Sequence, residues 1–261
     1  MLSRVHTLSL ASPIVRRLIY STNIPVSNIS SSVWDPKSGA AEEAHGKILA
    51  DVCKEQSVQH LVWSSLPCPT EISNGKYTNI LHFETKAAVA KYIQSIGLPY
   101  TAFEPGYFMS NFKHAIHQAS PGEPYVINSC IPLDVPLNLI DAAEDSGKFV
   151  AAILLNRESL LGQRVAATGC WHSTLELMDT FNKVFGPEKT GKGIVVSEEE
   201  WSRPLPEPFR LEMVENMFLI RDFKYYGPDS EEQVEKGWKV GCSVFLSFSF
   251  LSEKSKLTID I

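Results

Sequence analysis

Two lysines in "HFETKAAVAKYI" (82–93) stand five residues apart, and one of them faces the wrong way. At a helical period Phe83, Val89, Ala90 and Ile93 fall within one arc, and Lys86 falls in its middle. Lys91 points to the opposite side, where a lysine is expected. A buried ammonium is costly, so Lys86 must snorkel, pair with an anion or meet a ligand. His82, four residues earlier, lies on the same side as Lys86.

The elements around this helix give the lysine a direction. "QHLVWSSLP" (59–67) is a short apolar run closed by proline, a buried strand ending in Ser64 and Ser65. "PYTAFEP" (99–105) is a second strand, followed by Gly106, Tyr107, Phe108, Met109, Ser110 and Asn111. The helix between them ends at Gly97 and Pro99. Strand–helix–strand with short connections predicts a parallel, doubly wound α/β sheet, whose ligands sit beyond the carboxyl ends of the strands. Two strand ends and the inward lysine therefore converge on one sheet edge, which favours ligand contact over snorkelling. The H-x-x-x-K spacing equals that of the Tyr-x-x-x-Lys pair of short-chain dehydrogenases, with an imidazole in place of the phenol. An imidazole can donate a proton to a substrate carbonyl; a surface histidine that opens a helix fits equally well.

The rest of the chain continues the alternation. "SGAAEEAHGKILADVCKEQSV" (38–58) predicts a helix with Ala41, Ala44, Ile48, Ala50 and Val52 as its apolar stripe. Asn74-Gly75 is a tight-turn signal. Residues 136–156 predict a strand and a helix with Asp145 or Ser146 as N-cap, and 162–169 another strand. Residues 173–186 predict an amphipathic helix with Leu175, Met178, Phe181 and Phe185 on one side. A strand leading into a Glu-rich helix start follows, then a long helix over 209–227 ended by Gly227-Pro228. "CSVFLSFSFLSEKSKLTIDI" reads as a sheet strand or an aggregation-prone tail.

Composition narrows the function classes. The chain has 261 residues, is 44% hydrophobic and 21% charged, and carries a net charge of −6 with a pI near 5.7. No global positive field draws it to nucleic acid or to an anionic membrane, and its longest apolar run is too short for a bilayer. A protein partner that itself binds DNA is compatible with this charge. Five scattered cysteines form no zinc spacing and suit a reducing compartment, the cytoplasm. Residues 1–22 carry three arginines and no acid, the composition of a transit peptide, which makes mitochondria the alternative.

Two further motifs are excluded. "GPEKTGKG" (186–193) has phosphate-loop spacing, but position 193 is glycine and the segment runs from helix to strand. His114 and His117, three apart on one predicted helix, have no neighbouring carboxylate, so a metal role is disfavoured. No G-x-G-x-x-G or G-x-x-G-x-x-G follows a strand, so a pyrophosphate-binding turn cannot be located.

Three blocks carry a resemblance: "VWDPKSGAAEEAHGKILADVCKEQSVQHLVWSSLP", "ISNGKYTNILHFETKAAVAKYIQSIGLPYTAFEPGYFMSNF" and "LIDAAEDSGKFVAAIL". In order and spacing they resemble the fungal NmrA-like family, atypical short-chain dehydrogenase relatives, from about Val33 to about Trp238. The resemblance implies a Rossmann domain with a smaller C-terminal α/β substrate domain, and NADP(H) as cofactor. It implies that Lys86 contacts the nicotinamide ribose, and that Tyr107, Phe108, Met109, Ser110 and Asn111 frame the nicotinamide. The family's first three strands, glycine fingerprint and final segment have no counterpart here. Both ends read like gene-model or splice products joined to a genuine middle. The expectation is thus an incomplete Rossmann-type sheet: an atypical 1–33, a partial Rossmann domain over 34–128, a C-terminal region over 129–240 interleaved with the sheet, and an atypical 241–261. The implied activity is an NADP-dependent oxidoreductase of fungal metabolism acting on a small carbonyl or unsaturated substrate. Ser64 or Ser65 would orient the substrate oxygen and His82 would supply the proton. The competing implications are a cofactor-sensing regulator that binds a transcription factor, and an inactive remnant.

Overall fold

The computed structural model describes residues 19–20, 38–118, 120–187 and 189–245. In chain order, β1 (Ile19–Tyr20) precedes α1 (Ser38–Glu55), β2 (Leu61–Ser64), α2 (Leu81–Ser95) and β3 (Tyr100–Pro105). Then come β4 (Tyr107–Phe108), β5 (Ile116–Gln118), β6 (Tyr125–Ser129), β7 (Pro136–Ile140), α3 (Ala142–Leu155) and β8 (Arg164–Ala167). The last part holds β9 (Cys170–Ser173), α4 (Thr174–Phe185), β10 (Gly191–Val195), α5 (Glu207–Phe223) and α6 (Ser230–Phe245).

The main sheet is parallel throughout, in the order β1-β2-β3-β8. Alternation along its strands sorts the two faces. Leu61, Trp63, Tyr100 and Ala102 pack with Ala50, Cys53, Val89 and Ile93 of α1 and α2. Val62, Phe103 and Val165 pack with Phe149, Val150 and Ile153 of α3. Helices thus cover both faces, the doubly wound arrangement that the strand–helix rhythm predicts. Edge strand β8 lies against α6, where a Cβ on Gly237 would stand 2.0 Å from the Ala166 carbonyl oxygen. Only glycine lets the helix backbone approach that closely.

Two smaller sheets follow. One has the order β10-β6-β5 and the other β4-β7-β9, each with one parallel and one antiparallel pair. Strand β4 continues from β3 through Gly106, so the second small sheet begins where a main-sheet strand ends. Asn74 and Gly75 both have positive φ, as the predicted tight turn requires.

Several local expectations are corrected. The buried face of α1 is Gly46, Ala50 and Cys53, whereas Ile48 and Val52 are exposed. A Cβ on Gly46 would meet Val89 at 2.7 Å, so α1 packs closest at a position with no side chain to register as apolar. The N-cap of α3 is Asp141, whose carboxylate accepts from the amides of Ala143 and Glu144; Asp145 and Ser146 lie inside the helix. Helix α4 opens with a Ser173–Glu176 capping box and buries Leu177, Met178 and Phe181, leaving Leu175 exposed. Helix α5 stops at Phe223 because Lys224 turns left-handed, ahead of Gly227. His114 and His117 are both exposed and fall on a short helix (Phe112–Ala115) and on β5. Residues 242–245 end a helix rather than form a strand. The suggested transit segment and the rest of the tail lie outside the described residues, apart from the two-residue β1.

Candidate functional site

The carboxyl ends of β2 and β3 sit side by side, with Ser64 in register with Phe103. Ser65 extends the ladder, its amide donating to the Phe103 carbonyl at 2.8 Å. Its hydroxyl is sealed in the core, donating to the Leu66 carbonyl, which leaves Ser64 as the half-buried hydroxyl at this edge.

The end of β3 is held from behind. Tyr225 donates to the Pro105 carbonyl at 3.0 Å and Tyr226 to the Glu104 carbonyl at 2.9 Å. Burial pushes both phenols upward, so they stay protonated donors. Tyr225 has a φ of 73, a costly conformation for an aromatic residue, maintained by these contacts. Beneath the strand, Glu104 is buried and takes a bidentate pair from Arg164 of β8 at 2.9 and 2.8 Å. At Gly106 a Cβ would stand 2.4 Å from the Asn138 carbonyl oxygen, so the turn into β4 requires glycine. The loop beyond it presents Phe108, Ser110 and Asn111 to solvent, with Met109 half-buried. The Tyr107 phenol is raised by burial, partly offset by its hydrogen bond to Asn111.

Helix α2 supplies the basic groups. Lys86 is directed inward, with its side chain 24% exposed, and forms an ion pair with Glu42 of α1. Thr85 donates to the other Glu42 oxygen at 2.8 Å, which orients the carboxylate. The Trp63 indole donates to the Lys86 carbonyl at 3.2 Å, setting that turn of the helix level with β2. One of the three ammonium donors is engaged by Glu42, leaving N–H groups for a ligand hydroxyl. Lys91 is exposed and pairs with Glu71 across the surface at 2.6 Å.

His82 has a different anchor. Its Nδ1 lies 2.5 Å from Oε1 of Glu212, a nearly buried carboxylate of α5. The same oxygen accepts the His82 backbone amide at 2.9 Å. Glu215, one turn later, accepts the Asn79 amide at 2.8 Å. The N-cap of α2 is Ile80, which has no capping side chain, so Glu212 of α5 caps this helix across the structure while Glu215 holds the residue just before it.

These residues fit one part of a dinucleotide. A cation with spare donors on the helix between β2 and β3, and an exposed Phe108 ring with exposed Ser110 and Asn111 just after β3, are the group types a nicotinamide–ribose unit needs. The described residues offer no glycine-rich turn for the pyrophosphate. Nor do they contain a cluster of three or more His, Cys, Asp or Glu able to hold a metal. Among them no helix is long and apolar enough to cross a membrane. Glu42, Glu212, Asn138, Tyr225 and Tyr226 escaped sequence reasoning. The one available signal was the unusual Tyr-Tyr-Gly at the end of α5.

Such a parallel sheet, with helices on both faces, defines a Rossmann-type α/β protein. The NmrA-like family model matches residues 15–259, and the chain belongs to that family. It is 25% identical over 224 residues to the NmrA-like family domain-containing oxidoreductase FrzB of Cladobotryum sp, covering 78% of this chain and 66% of that protein. It is 24% identical over 221 residues to the nitrogen metabolite repression protein nmrA of Emericella nidulans, covering 82% and 60%. The crystal structure of NmrA, a negative transcriptional regulator, in complex with NADP superposes with a TM-score of 0.62 at 20% identity, covering 76% of this chain and 65% of that one. That likeness is one of fold. The chain spans about two thirds or less of the length of these relatives.

Proposed function

We propose that the protein is an NADP(H)-dependent oxidoreductase that acts on a small carbonyl or unsaturated compound, as in fungal metabolism. The observation that carries this reading is Lys86, directed inward on the helix that joins β2 and β3 and paired with Glu42 of α1. Lys86 holds the hydroxyls of the nicotinamide ribose. The loop over Tyr107, Phe108, Met109, Ser110 and Asn111 bounds the nicotinamide. Ser64 orients the substrate oxygen, a role that Ser65 cannot share because its hydroxyl is enclosed. His82, at the first turn of α2, supplies the proton. A bound nicotinamide supplies or accepts the hydride. The relative FrzB, named an oxidoreductase, supports the same class.

Fluorescence titration with NADPH tests the reading. Binding in the micromolar range is expected, with Lys86→Ala weakening it about tenfold or more, as for loss of one charge-assisted hydrogen bond. Lys91→Ala leaves it unchanged. No binding at high micromolar NADPH, or equal effects of the two substitutions, would overturn it.

A second reading is a non-catalytic sensor of NADP(H) that binds a transcription factor. The relative named as a nitrogen metabolite repression protein supports it. NADPH binding without oxidation across a panel of aldehydes, ketones and enones would favour the sensor.

A further inference from the structure

The Glu212–His82 contact carries more than the docking of α5. Glu212 Oε1 already accepts the His82 backbone amide, and a carboxylate oxygen offers only acceptor lone pairs. The 2.5 Å contact with Nδ1 therefore puts a proton on Nδ1. Free imidazole prefers its proton on Nε2, so the carboxylate selects the less common tautomer. Nδ1 is thereby committed to the protein, and Nε2 becomes the nitrogen through which His82 exchanges protons.

The position of the ring matters equally. The Trp63 bond to the Lys86 carbonyl sets that residue level with the last part of β2. His82 lies one turn before it, about 5–6 Å along the helix axis. Since α2 runs back against its strands, that turn lies nearer the carboxyl edge of the sheet. Phe83 beside it packs edge-on against Tyr225, at 5.1 Å between centroids, and Tyr225 in turn holds the last carbonyl of β3. The His82 ring packs edge-on against Phe83 at 4.8 Å, and its side chain is 29% exposed. Helix α2 thus bears two basic groups, one turn apart, each oriented by a carboxylate from a different element: Lys86 by Glu42 and His82 by Glu212.

The geometry points to Glu212 as a positioning residue for catalysis: it holds His82 with Nε2 as the proton-donating atom of a carboxylate–histidine dyad. This deepens the oxidoreductase reading and rests on it. In the reducing direction the carbonyl carbon gains a hydride from NADPH as the C=O π bond breaks. The developing alkoxide takes the Nε2 proton of His82 in its doubly protonated form. NADP and an alcohol result, and the neutral imidazole, proton on Nδ1, regains its Nε2 proton from solvent through its exposed edge. Glu212 touches neither substrate nor cofactor.

Three measurements on the full chain test this. Long-range proton–nitrogen NMR of histidine-labelled protein, with the His82 signal assigned by its loss in His82→Gln, reads the tautomer at alkaline pH. The wild type is expected in the Nδ1–H form, and Glu212→Ala in the Nε2–H form. NADPH oxidation with the carbonyl panel gives kcat. His82→Gln and the isosteric Glu212→Gln should lower it by about 10²-fold or more, the span of general acid catalysis, with KM for NADPH within threefold. Glu212→Asp, which keeps the charge, should recover part of the loss. A purely structural Glu212 would lower thermal stability and leave kcat of the folded fraction intact. An Nε2–H wild-type tautomer, an unchanged kcat in Glu212→Gln, or absence of turnover with NADPH bound overturns the dyad. Failure of NADPH to bind is read separately, by fluorescence, and sinks the oxidoreductase reading itself.

Discussion

Helix α2 is held on its two flanks by different balances of apolar and polar contact. Toward α1 and the sheet the seam is mainly apolar: Gly46, Ala50 and Cys53 meet Val89, Ile93 and Trp63 with almost no solvent between them, and the Lys86–Glu42 pair with Thr85 lies toward one end of it. Toward α5, beside an apolar cluster of Ile80 and Phe83 with Leu219 and Ile220, runs a row of polar contacts. Asp222 receives Lys76 at 2.7 Å and Tyr77 at 2.5 Å, Glu215 receives Asn79, and Glu212 receives His82. The three carboxylates share one face of α5, and their donors all lie within residues 76–82. The apolar seam supplies stability, because it removes surface from water. The polar seam supplies direction: each bond has a required angle and partner, so it sets how the helix start, and with it His82, is presented.

Breaking the apolar seam should have the largest effect. Ile93→Ala removes a fully buried side chain and should lower stability by about 3 kcal/mol, within the range for such cavities. Urea unfolding followed by circular dichroism measures it. A loss below about 1 kcal/mol would mean the seam is looser than its burial indicates.

Acid should act on the molecule in two separate pH windows. His60, at the start of β2, is buried with Nε2 donating to Thr101 at 2.8 Å and Nδ1 without a partner. Burial, with Arg157 adding repulsion, lowers its pKa from 6.5 to about 4. The unfolded chain therefore takes up this proton first. Stability should fall as pH drops from about 6.5 to about 4, by up to about 1.4 kcal/mol per pH unit, and level off below. His60→Gln should flatten that slope in pH-dependent thermal melts.

Asp222 acts in a lower window. Arg221, Lys76 and Tyr77 hold its carboxyl well below the ordinary 3.8, so its contribution is present at neutral pH and is lost only as pH falls beneath that value. Asp222→Asn should cost about 1 kcal/mol at pH 7, since the group is partly exposed. An effect as large as that of Ile93→Ala would erase the contrast between the seams.

The legible parts of the molecule were those written locally. Strand and helix alternation, the Asn74-Gly75 turn and the inward direction of Lys86 all depend on residues within one or two turns of each other. The misreadings have physical causes. Counting apolar residues along α1 picked Ile48 and Val52, while the packing chose the face where Gly46 allows the closest approach. Asp145 and Ser146 looked like caps, but α3 starts four residues earlier, where Asp141 reaches two free amides. Ser64 and Ser65 looked equivalent until the pleat and the turn after β2 enclosed one of them.

The sequence by itself determined an α/β chain with a parallel sheet, and a lysine that is not an ordinary surface group. Only the tertiary structure decided what that lysine and its neighbouring histidine do with their charge. Glu42 lies 44 residues from Lys86 and Glu212 lies 130 residues from His82. Periodicity reports which way a side chain faces, because facing follows from the local helix. Which anion meets it is set by how distant elements pack, and a solvated glutamate reads the same in sequence as one that orients a histidine.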